Sequence, residues 1–326
     1  MTACDVVIGV DVGGTKIAVG AVTRAGEIVE SERYPMDRAT QETSLASIDA
    51  ALDSFMSSWC GPRPLALGFG LVGSTDPATG TWLRSMNIPI SDSVDMTARF
   101  GAPYGLRAAV DNDVHAATLA ELRWGAGGDA SDFIYLNVGT GTAAGLVTHG
   151  RLVRGASNYA GEFGHTYTGV APDVQCPCGR RGCLEPAASG GGLITRAREL
   201  LPAYLDSPLA AADAAGQLNA HTIFVYADAG DPLAARLAED MVNALGIAVT
   251  NLINLLDPQV VVVGGGVWAD GWLLPRVQKI VQSTALRRAL SDLRGLVPST
   301  LHPDHVGLLG AATLAWDILD ERKSYV

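Results

Sequence analysis

One histidine and three cysteines are spaced as ligands of a single metal ion. His165 is followed by Cys176, Cys178 and Cys183, and glycines lie between the last two cysteines, where a short loop has to fold back. A structural zinc site takes four thiolate or imidazole ligands in a tetrahedron, and three cysteines with one histidine form a recognised set. The alternative is buried or redox-active cysteines beside a surface histidine. Because three of the chain's 5 cysteines fall in this one stretch, the spacing favours structural zinc.

Three glycine-rich turns, each after a run of β-branched residues, could hold an anionic ligand. They are the segments 11–16 (DVGGTK), 139–142 (GTGT) and 264–266 (GGG). Backbone N–H groups reach a phosphate closely only where no Cβ intervenes. None of the segments has the spacing of a P-loop NTPase or of a Rossmann dehydrogenase, so both classes are disfavoured. One such turn is more often only a turn, but three, with Asp11 opening the first, favour a nucleotide.

The composition indicates a two-domain protein that binds neither nucleic acid nor membranes. A single hydrophobic core seldom grows beyond about 250–300 residues, and the chain has 326. The net charge is −11, whereas phosphate backbones require clustered Lys and Arg. No apolar segment reaches the roughly 20 residues that span a bilayer, and the first residues lack the basic region of a signal peptide. Cys4 and Cys60 are isolated, and metal-bound thiolates suit a reducing compartment, so we expect a cytoplasmic protein.

Strand and helix patterns alternate along most of the chain. Short β-branched runs predict strands at residues 6–10, 17–22, 27–31, 65–69, 106–110, 133–138 and 260–263. Apolar residues at helical spacing predict helices at residues 43–58, 114–124, 192–201, 232–256 and 310–322. Residues 139–145 are predicted to form a turn, and residues 201–217 are the clearest linker candidate. The alternation predicts an α/β fold whose sheets are covered by helices.

Several motifs together resemble those of one family. The Asp-x-Gly-Gly-Thr motif, the Gly-Thr-Gly turn and the glycine triplet resemble the phosphate and adenosine motifs of the actin/hexokinase-like ATPases. The segments 134–145 (IYLNVGTGTAAG), 149–155 (HGRLVRG) and 160–165 (AGEFGH), with the CxCGxxGCLE metal motif, narrow the resemblance to the ROK family of sugar kinases and sugar-responsive repressors. The likeness runs from Val7 to about Leu314, which is nearly the whole chain.

The resemblance implies a two-lobed α/β fold of the actin/hexokinase-like (ribonuclease H-like) type with a zinc-binding loop. A small domain would span residues 1–115, and a C-terminal helix at about 306–326 would pack back on it. A large domain would span residues 116–305 and carry the zinc site. The sugar would bind in the cleft, and closure would exclude water. Because ROK relatives are commonly dimers or tetramers, we expect a homodimer or homotetramer.

The resemblance also implies the roles of individual residues. Asp113 would be the general base that accepts the proton of a sugar hydroxyl, at position 6 of a hexose, as that hydroxyl attacks the γ-phosphate. On residue type alone, Asn112-Asp113 suit a helix N-cap equally well. Sugar contacts are implied for Asn87, Asn112, Asp113, Glu162, His165 and Glu185. Mg²⁺-ATP would be the phosphoryl donor, bound through Asp11, Gly13, Gly14, Thr15, Lys16, Gly139, Thr140, Gly141, Gly265 and Gly266. Structural Zn²⁺ would be bound by His165, Cys176, Cys178 and Cys183.

The chain departs from the family pattern mainly near the expected sugar. Ile90-Ser91 replaces Gly-Trp, Gly70-Leu-Val-Gly73 replaces Gly-x-Pro-Gly, His115 stands where Asn is common, and Ala143-Ala144 stand where Gly is commoner. We expect His115 to be a packed helix residue. Because Gly-Trp is missing beside Asn87, the identity of the sugar stays open. Glucose is the first expectation, and an aminosugar such as kanosamine, an N-acetylhexosamine or a C7 cyclitol is the alternative.

Two other classes of function compete with a kinase. A sugar-responsive repressor would carry a DNA-binding domain before Asp11, but only ten residues precede it and the net charge is negative. A non-catalytic sugar-binding or sensor protein is disfavoured because Asp113 and all three glycine turns are present. We therefore expect a small-molecule sugar and ATP as partners, with no nucleic acid and no membrane.

Overall fold

The computed structural model describes residues 5–85 and 87–320. Its strands are β1 (Val6–Val12), β2 (Lys16–Thr23), β3 (Ile28–Pro35), β4 (Ala66–Leu71), β5 (Ser74–Asp76), β6 (Thr81–Arg84), β7 (Val94–Asp95), β8 (Arg107–Asn112), β9 (Phe133–Val138), β10 (Thr142–Thr148), β11 (Arg151–Leu152), β12 (Val260–Gly264) and β13 (Leu296–Pro298). Its α-helices are α1 (Gln41–Ser58), α2 (Asp113–Trp124), α3 (Glu185–Ala188), α4 (Gly190–Leu200), α5 (Leu209–Ala214), α6 (Ala220–Asp228), α7 (Pro232–Leu256), α8 (Leu273–Thr284), α9 (Arg287–Asp292) and α10 (Val306–Leu319). Short 3-10 or π-helical turns lie at Thr97–Gly101, Ala102–Tyr104, Phe163–His165, Leu201–Ala203 and Gly266–Trp268.

The first of two compact units contains the residues up to Asp129, Val147–Ala160 and the residues from Thr300. Its main sheet has the strand order β3-β2-β1-β4-β8, in which β1, β4 and β8 are parallel and β2 and β3 are antiparallel. Val12 lies opposite Leu71, which in turn lies opposite Asn112. The carboxyl ends of the three parallel strands therefore meet at one edge of the sheet, where ligands of open α/β sheets bind.

Helix α10 packs on this sheet and on α2. Glycines on the strands allow the close approach: a Cβ at Gly9 would lie 2.6 Å from the carbonyl oxygen of Leu308, and one at Gly68 would collide with the carbonyl of Ala311. Trp316 is fully buried, and its indole N–H donates to the carbonyl of Thr23 at 3.2 Å. The predicted domain boundary at residue 115 would divide α2. Because α2 packs against α10, the first unit instead extends to Asp129.

The second unit contains Ala130–Leu146 and Gly161–Ser299. Strands β9, β12 and β13 are parallel, and β10 lies beside β9. Strand β12 is buried along its whole length, which is typical of a central parallel strand covered on both faces. Helix α7 supplies Leu237, Met241 and Leu245 to the core of this unit. This core holds the loops that carry the predicted metal ligands and the predicted nucleotide residues at 139–141 and 265–266.

The predicted alternation of strands and helices is confirmed, although several boundaries differ. The segment 139–145 was expected to be a turn, but β10 begins at Thr142, and residues 201–217 contain α5 rather than an open linker. The last helix begins at Val306, and the predicted residues 321–326 lie outside the described part of the chain. The small sheet β5-β6-β7 was not predicted because its strands are too short to display a period. Within residues 5–85 and 87–320, no helix is long and apolar enough to cross a membrane.

Candidate active site

The sequence left open whether Asn112-Asp113 form a helix N-cap or supply a catalytic base, and the structure assigns the cap to Asn112. The side-chain oxygen of Asn112 accepts hydrogen bonds from the backbone N–H groups of Val114 at 2.9 Å and His115 at 3.2 Å. Its amide nitrogen donates to the carbonyl of Gly73 at 3.0 Å, in the departing Gly70–Gly73 segment. Asn112 is thus the N-cap of α2, and Asp113 is the first residue of the helix. Oδ1 of Asp113 also accepts the N–H of Val114 at 3.0 Å, but the side chain that caps the helix is that of Asn112.

Two half-buried carboxylates lie at this edge of the first unit's sheet. Burial raises the pKa of Asp113 to about 6. Burial also raises the pKa of Asp11 to about 7, with a further contribution from the negative charge of Asp113, while Lys16 and Arg33 oppose the shift. Two neighbouring carboxylates repel each other when both are ionised, and a nearby cation offsets that repulsion. Asp113 is therefore poised near neutral pH, and Asp11 is suited to face a divalent cation.

Close packing fixes the surroundings of Asp11. A Cβ at Gly307, in the first turn of α10, would collide with the Asp11 carboxylate. The adjacent glycine turn is closed by a hydrogen bond from the N–H of Gly13 to the carbonyl of Lys16 at 3.0 Å. Asn87 lies beside this turn, because a Cβ at Gly14 would lie 3.8 Å from its Cβ. Eight of the predicted site residues belong to the first unit: Asp11, Gly13, Gly14, Thr15, Lys16, Asn87, Asn112 and Asp113.

The loop that carries Asn87 is fixed by an unexpected residue. The side-chain oxygen of Gln41, the first residue of α1, accepts from the N–H groups of Ser91 at 2.9 Å and Asp92 at 3.0 Å, and its amide donates back to the carbonyl of Asp92 at 3.1 Å. Ile90 is only 1% exposed. Ile90 therefore packs into the first unit and Ser91 is held by α1, while Asn87 is exposed.

In the second unit, the other two glycine turns lie side by side. Strands β9 and β12 are parallel, so the turns that follow them share an edge. Gly265 has φ +93°, and a Cβ there would collide with the carbonyl of Val138. The first amides of α4 point at the earlier turn: Gly190 donates to Gly139 at 2.8 Å and Gly191 to Thr140 at 3.1 Å. The sequence analysis missed this support.

Glu185 joins this turn to the metal-binding segment. Its carboxylate oxygen Oε2 accepts the backbone N–H of Thr142 at 3.0 Å. The hydroxyl of Thr142 donates to the carbonyl of Ala188 at 3.2 Å, at the other end of α3. Helix α3 is thus pinned at both ends to the same residue of the turn.

The predicted zinc ligands form one cluster. One ligand atom from each of His165, Cys176, Cys178 and Cys183 lies within 4.8 Å of all the others. The sulfurs of Cys178 and Cys183 are 3.7 Å apart, as are the sulfur of Cys176 and Nδ1 of His165. Zinc–sulfur bonds of about 2.3 Å at tetrahedral angles place two sulfurs ~3.8 Å apart. The spacing and the donor set therefore fit a four-coordinate metal ion.

Groups around the cluster affect the pKa values of its thiols and the surroundings of its imidazole. The backbone N–H of Arg180 is the main influence that lowers the pKa of Cys178 to about 6. Burial raises the pKa of Cys176 to about 12, so its thiolate requires the cation itself. Nε2 of His165 faces a carboxylate oxygen of Glu162 at 3.7 Å. A second group that orients a ligating imidazole is usual at metal sites. Glu162 is thereby placed beside the metal ligand.

Known proteins resemble this chain in sequence and in fold. A model of the ROK family matches residues 7–318. The chain belongs to the ROK family. A glucokinase of Halalkalibacterium halodurans is 33% identical, over 94% of this chain and 94% of its own length. The crystal structure of a ROK family glucokinase from Streptomyces griseus, in complex with glucose and AMPPNP, is 30% identical with a TM-score of 0.77, and the match covers 96% of this chain and 99% of that one.

The ROK family also contains regulators. The DNA-binding transcriptional dual regulator NagC of Escherichia coli is 29% identical over 94% of this chain and 74% of its own length. Kinases and regulators thus share the part that matches this chain. The expected actin/hexokinase-like α/β fold is confirmed by the likeness to the ROK structures.

Four polar or packing residues of this ROK chain escaped the sequence analysis. Gln41 and Gly307 support Asn87 and Asp11, as described above. Asp111 and Arg154 form a buried ion pair beside His115, which is itself 4% exposed. The packing expected of His115 is confirmed. The run Asp111-Asn112-Asp113 was a signal for Asp111, whereas no local pattern pointed to Arg154.

Proposed function

We propose that this chain transfers the γ-phosphoryl group of ATP to the 6-hydroxyl of a hexose, with glucose as the first substrate. The chain is an ATP-dependent sugar kinase, and the proposal concerns its substrate and residues. The observation that best supports this proposal is the environment of the Asp113 carboxylate. This half-buried carboxylate, with its pKa raised to about 6 by burial, is oriented by the first turn of α2 and lies at the same sheet edge as Asp11.

In the proposed reaction, Asp113 accepts the proton of the attacking hydroxyl. A carboxylate with a pKa near 6 is ionised at neutral pH and is a stronger base than an exposed aspartate. Asp11 would hold the cation, and the glycine turns at residues 13–16 and 139–141 would lie around the phosphates and offer the amides that are not used within the turns. Mg²⁺ neutralises the charge on the transferring phosphoryl group when it is bound. Gly265 and Gly266 would border the adenosine.

We further propose that the sugar hydroxyls are bound by five side chains besides Asp113: Asn87, Asn112, Glu162, His165 and Glu185. Carboxylates that accept from pairs of hydroxyls suit a polyol better than an acidic substrate. The cap hydrogen bonds fix the orientation of Asn112, and His165 would fix that of Glu162. These residues would be ordered before the sugar arrives, which lowers the entropic cost of binding.

The Cys/His cluster is proposed to hold structural Zn²⁺. Four protein donors complete a tetrahedron and leave no position for a reactive water. The ion would fix His165 and the short loop around it. Arg180 already supports this arrangement, because its guanidinium donates to the carbonyl of His165 at 2.8 Å. A cytoplasmic location and a homodimeric or homotetrameric state remain predictions.

A substrate panel tests the proposal. ADP release would be measured with Mg²⁺-ATP and glucose, mannose, N-acetylglucosamine, N-acetylmannosamine, kanosamine or a C7 cyclitol. We expect turnover to be fastest with glucose and absent with 6-deoxyglucose, which lacks the acceptor hydroxyl. Turnover on one modified sugar alone would replace glucose by that substrate. Sugar binding without turnover on the whole panel would instead identify a sensor protein.

A further inference from the structure

A buried cluster of three ionisable side chains, Asp111, Arg154 and His115, lies next to the first turn of α2. Asp111, at the end of β8, is completely buried. Its Oδ2 accepts two hydrogen bonds from Arg154, from Nε at 3.0 Å and from Nη2 at 2.5 Å. Its Oδ1 accepts the backbone N–H of Asn112 at 2.8 Å and faces Nδ1 of His115 at 3.2 Å. The cluster therefore binds both the cap residue and the first turn of the helix.

Both ring nitrogens of His115 face groups that can only accept hydrogen bonds. Nδ1 faces the Asp111 carboxylate, and Nε2 lies 3.0 Å from the backbone carbonyl of Ala160. A neutral imidazole has one N–H donor, whereas an imidazolium has two. Both contacts can be hydrogen bonds only in the imidazolium form. The two bonds therefore require the charged ring.

The electrostatic surroundings of His115 support that form. Burial lowers the pKa of His115, but the hydrogen bond to Asp111 and the charge of that carboxylate outweigh burial, so the pKa lies above its usual value. Arg154, from the segment Val147–Ala160, opposes this shift. Asp113, on the same helix, interacts with the His115 charge. Among residues 5–85 and 87–320, Asp111, Arg154 and Asp113 are thus the charged groups that influence the ring.

The carbonyl of Ala160 is held at a point where the chain passes between the two units. Ala160 ends the segment Val147–Ala160 of the first unit, and its N–H donates to the carbonyl of Arg154 at 3.0 Å. Gly161 begins a segment of the second unit, and its carbonyl accepts from the N–H of Ala144 at 2.9 Å. Glu162, a proposed sugar ligand, is the next residue along the chain.

We propose that His115, as an imidazolium, is a positioning residue for phosphoryl transfer, which fixes the first turn of α2, and with it Asp113, to the Ala160 carbonyl just before Glu162. This role rests on the proposed function. Loss of the proton leaves a nitrogen lone pair facing the Ala160 carbonyl, so that bond is lost. Asp111 remains paired with Arg154, and the fold is retained. The base and the chain that leads to the sugar ligand then lose their shared anchor.

The pH dependence of kcat/KM separates positioning from a purely structural role. Wild-type kcat/KM is expected to rise as Asp113 ionises and then to fall about tenfold as pH passes through the pKa of His115, since small displacements near the reacting atoms cost one to two orders of magnitude. The variant His115→Gln cannot titrate, so it should keep the acid limb and lose the alkaline one. His221→Gln, which changes an exposed histidine, should keep both limbs. An alkaline limb unchanged in His115→Gln would overturn the proposal.

Nitrogen NMR of the imidazole ring tests the same state without turnover. In ¹⁵N-histidine-labelled wild-type protein at pH 7, the His115 signal, assigned by its absence from His115→Gln or His115→Asn, should report two protonated nitrogens. A signal of one protonated and one unprotonated nitrogen would overturn the imidazolium, whatever the activity. Absence of turnover on every hexose would instead contradict the proposed function, so the two failures are distinguishable.

Discussion

The carboxylate of Glu185 accepts the backbone N–H of Thr142 at 3.0 Å. The hydrogen bond joins a residue proposed to bind a sugar hydroxyl to the turn proposed to bind phosphates. A Cβ at Gly141, within that turn, would lie only 2.8 Å from the same carboxylate oxygen. In the second unit, one side chain thus joins the proposed sugar ligand to the proposed phosphate turn.

Two variants of Glu185 should separate these tasks. Glu185→Gln keeps an oxygen that can accept from Thr142 but loses the charge, so the KM for sugar should rise about tenfold, as expected for a hydrogen bond to a charged group worth about 1.5–3 kcal/mol. The KM for ATP should hardly change. Glu185→Ala removes both interactions and should raise both constants. Steady-state kinetics with each substrate varied would check this, and an unchanged KM for ATP in Glu185→Ala would contradict the coupling.

Removal of the proposed base should abolish turnover but not binding. Asp113→Asn is expected to lower kcat by about 10²- to 10⁴-fold, the usual contribution of a general base, while calorimetric sugar affinity stays near wild type. Because folding raises the pKa of Asp113 from 3.8 to about 6, its ionised form destabilises the fold at neutral pH. The variant should therefore unfold no more easily than wild type. The exposed Asp206→Asn is the matched control, and a near-normal kcat in Asp113→Asn would exclude this base.

Wild-type activity should depend on pH in a defined direction. The Asp113 carboxylate has to be ionised to accept a proton, so kcat/KM should fall as pH decreases through about 6. Protonation of Asp11, whose pKa is about 7 in the metal-free protein, competes with the cation. The Mg²⁺ concentration for half-maximal rate should therefore increase below neutral pH. Initial rates at several Mg²⁺ concentrations between pH 5 and 8 would test both predictions. A kcat/KM that does not fall at acid pH would contradict the role of Asp113.

Loss of one thiolate should remove the metal ion. Cys178→Ser is expected to reduce bound zinc from about one ion per chain to nearly none, measured by elemental analysis, and to raise the KM for sugar because His165 loses its anchor. Cys60→Ser changes an exposed cysteine outside the cluster and should retain both metal and activity. Equal zinc contents in the two variants would disprove the ligand assignment.

The Gln41 contacts should matter for sugar rather than for ATP. Gln41→Ala removes four hydrogen bonds to residues 91–92, each worth about 0.5–1.5 kcal/mol, and frees the loop that carries Asn87. The KM for sugar should rise several-fold with little change in the KM for ATP. Glu42→Ala, at the neighbouring exposed position, is the control. If both variants behave alike, the loop does not depend on Gln41.

Local sequence patterns predicted most strands and helices and the positions of the candidate site residues. They did not predict contacts between distant segments. The three cysteines are close in sequence, and a short loop brings them together whatever the rest of the fold does. The segment containing Asp113 and the glycine turns could be placed because each follows a strand whose apolar pattern is clear.

The partners of these residues could not be derived in the same way. Arg154 pairs with Asp111, and Gly307 packs on Asp11, only because distant segments meet in the first unit. A glycine required by a carboxylate almost three hundred residues earlier carries no local signal. Ile90 was judged by its type near a binding motif, but its burial depends on the core beneath it.

The position of α10 has a consequence for biosynthesis. Strand β1 packs against α10, so the first unit's sheet lacks this helix until residues 306–319 have been made. The second unit ends at Ser299 and is available in full earlier. Domains usually fold in the order in which the ribosome releases them. Here the strands of the first unit's main sheet precede most of the second unit in the chain, but α10 can cover them only after Ser299 has been passed.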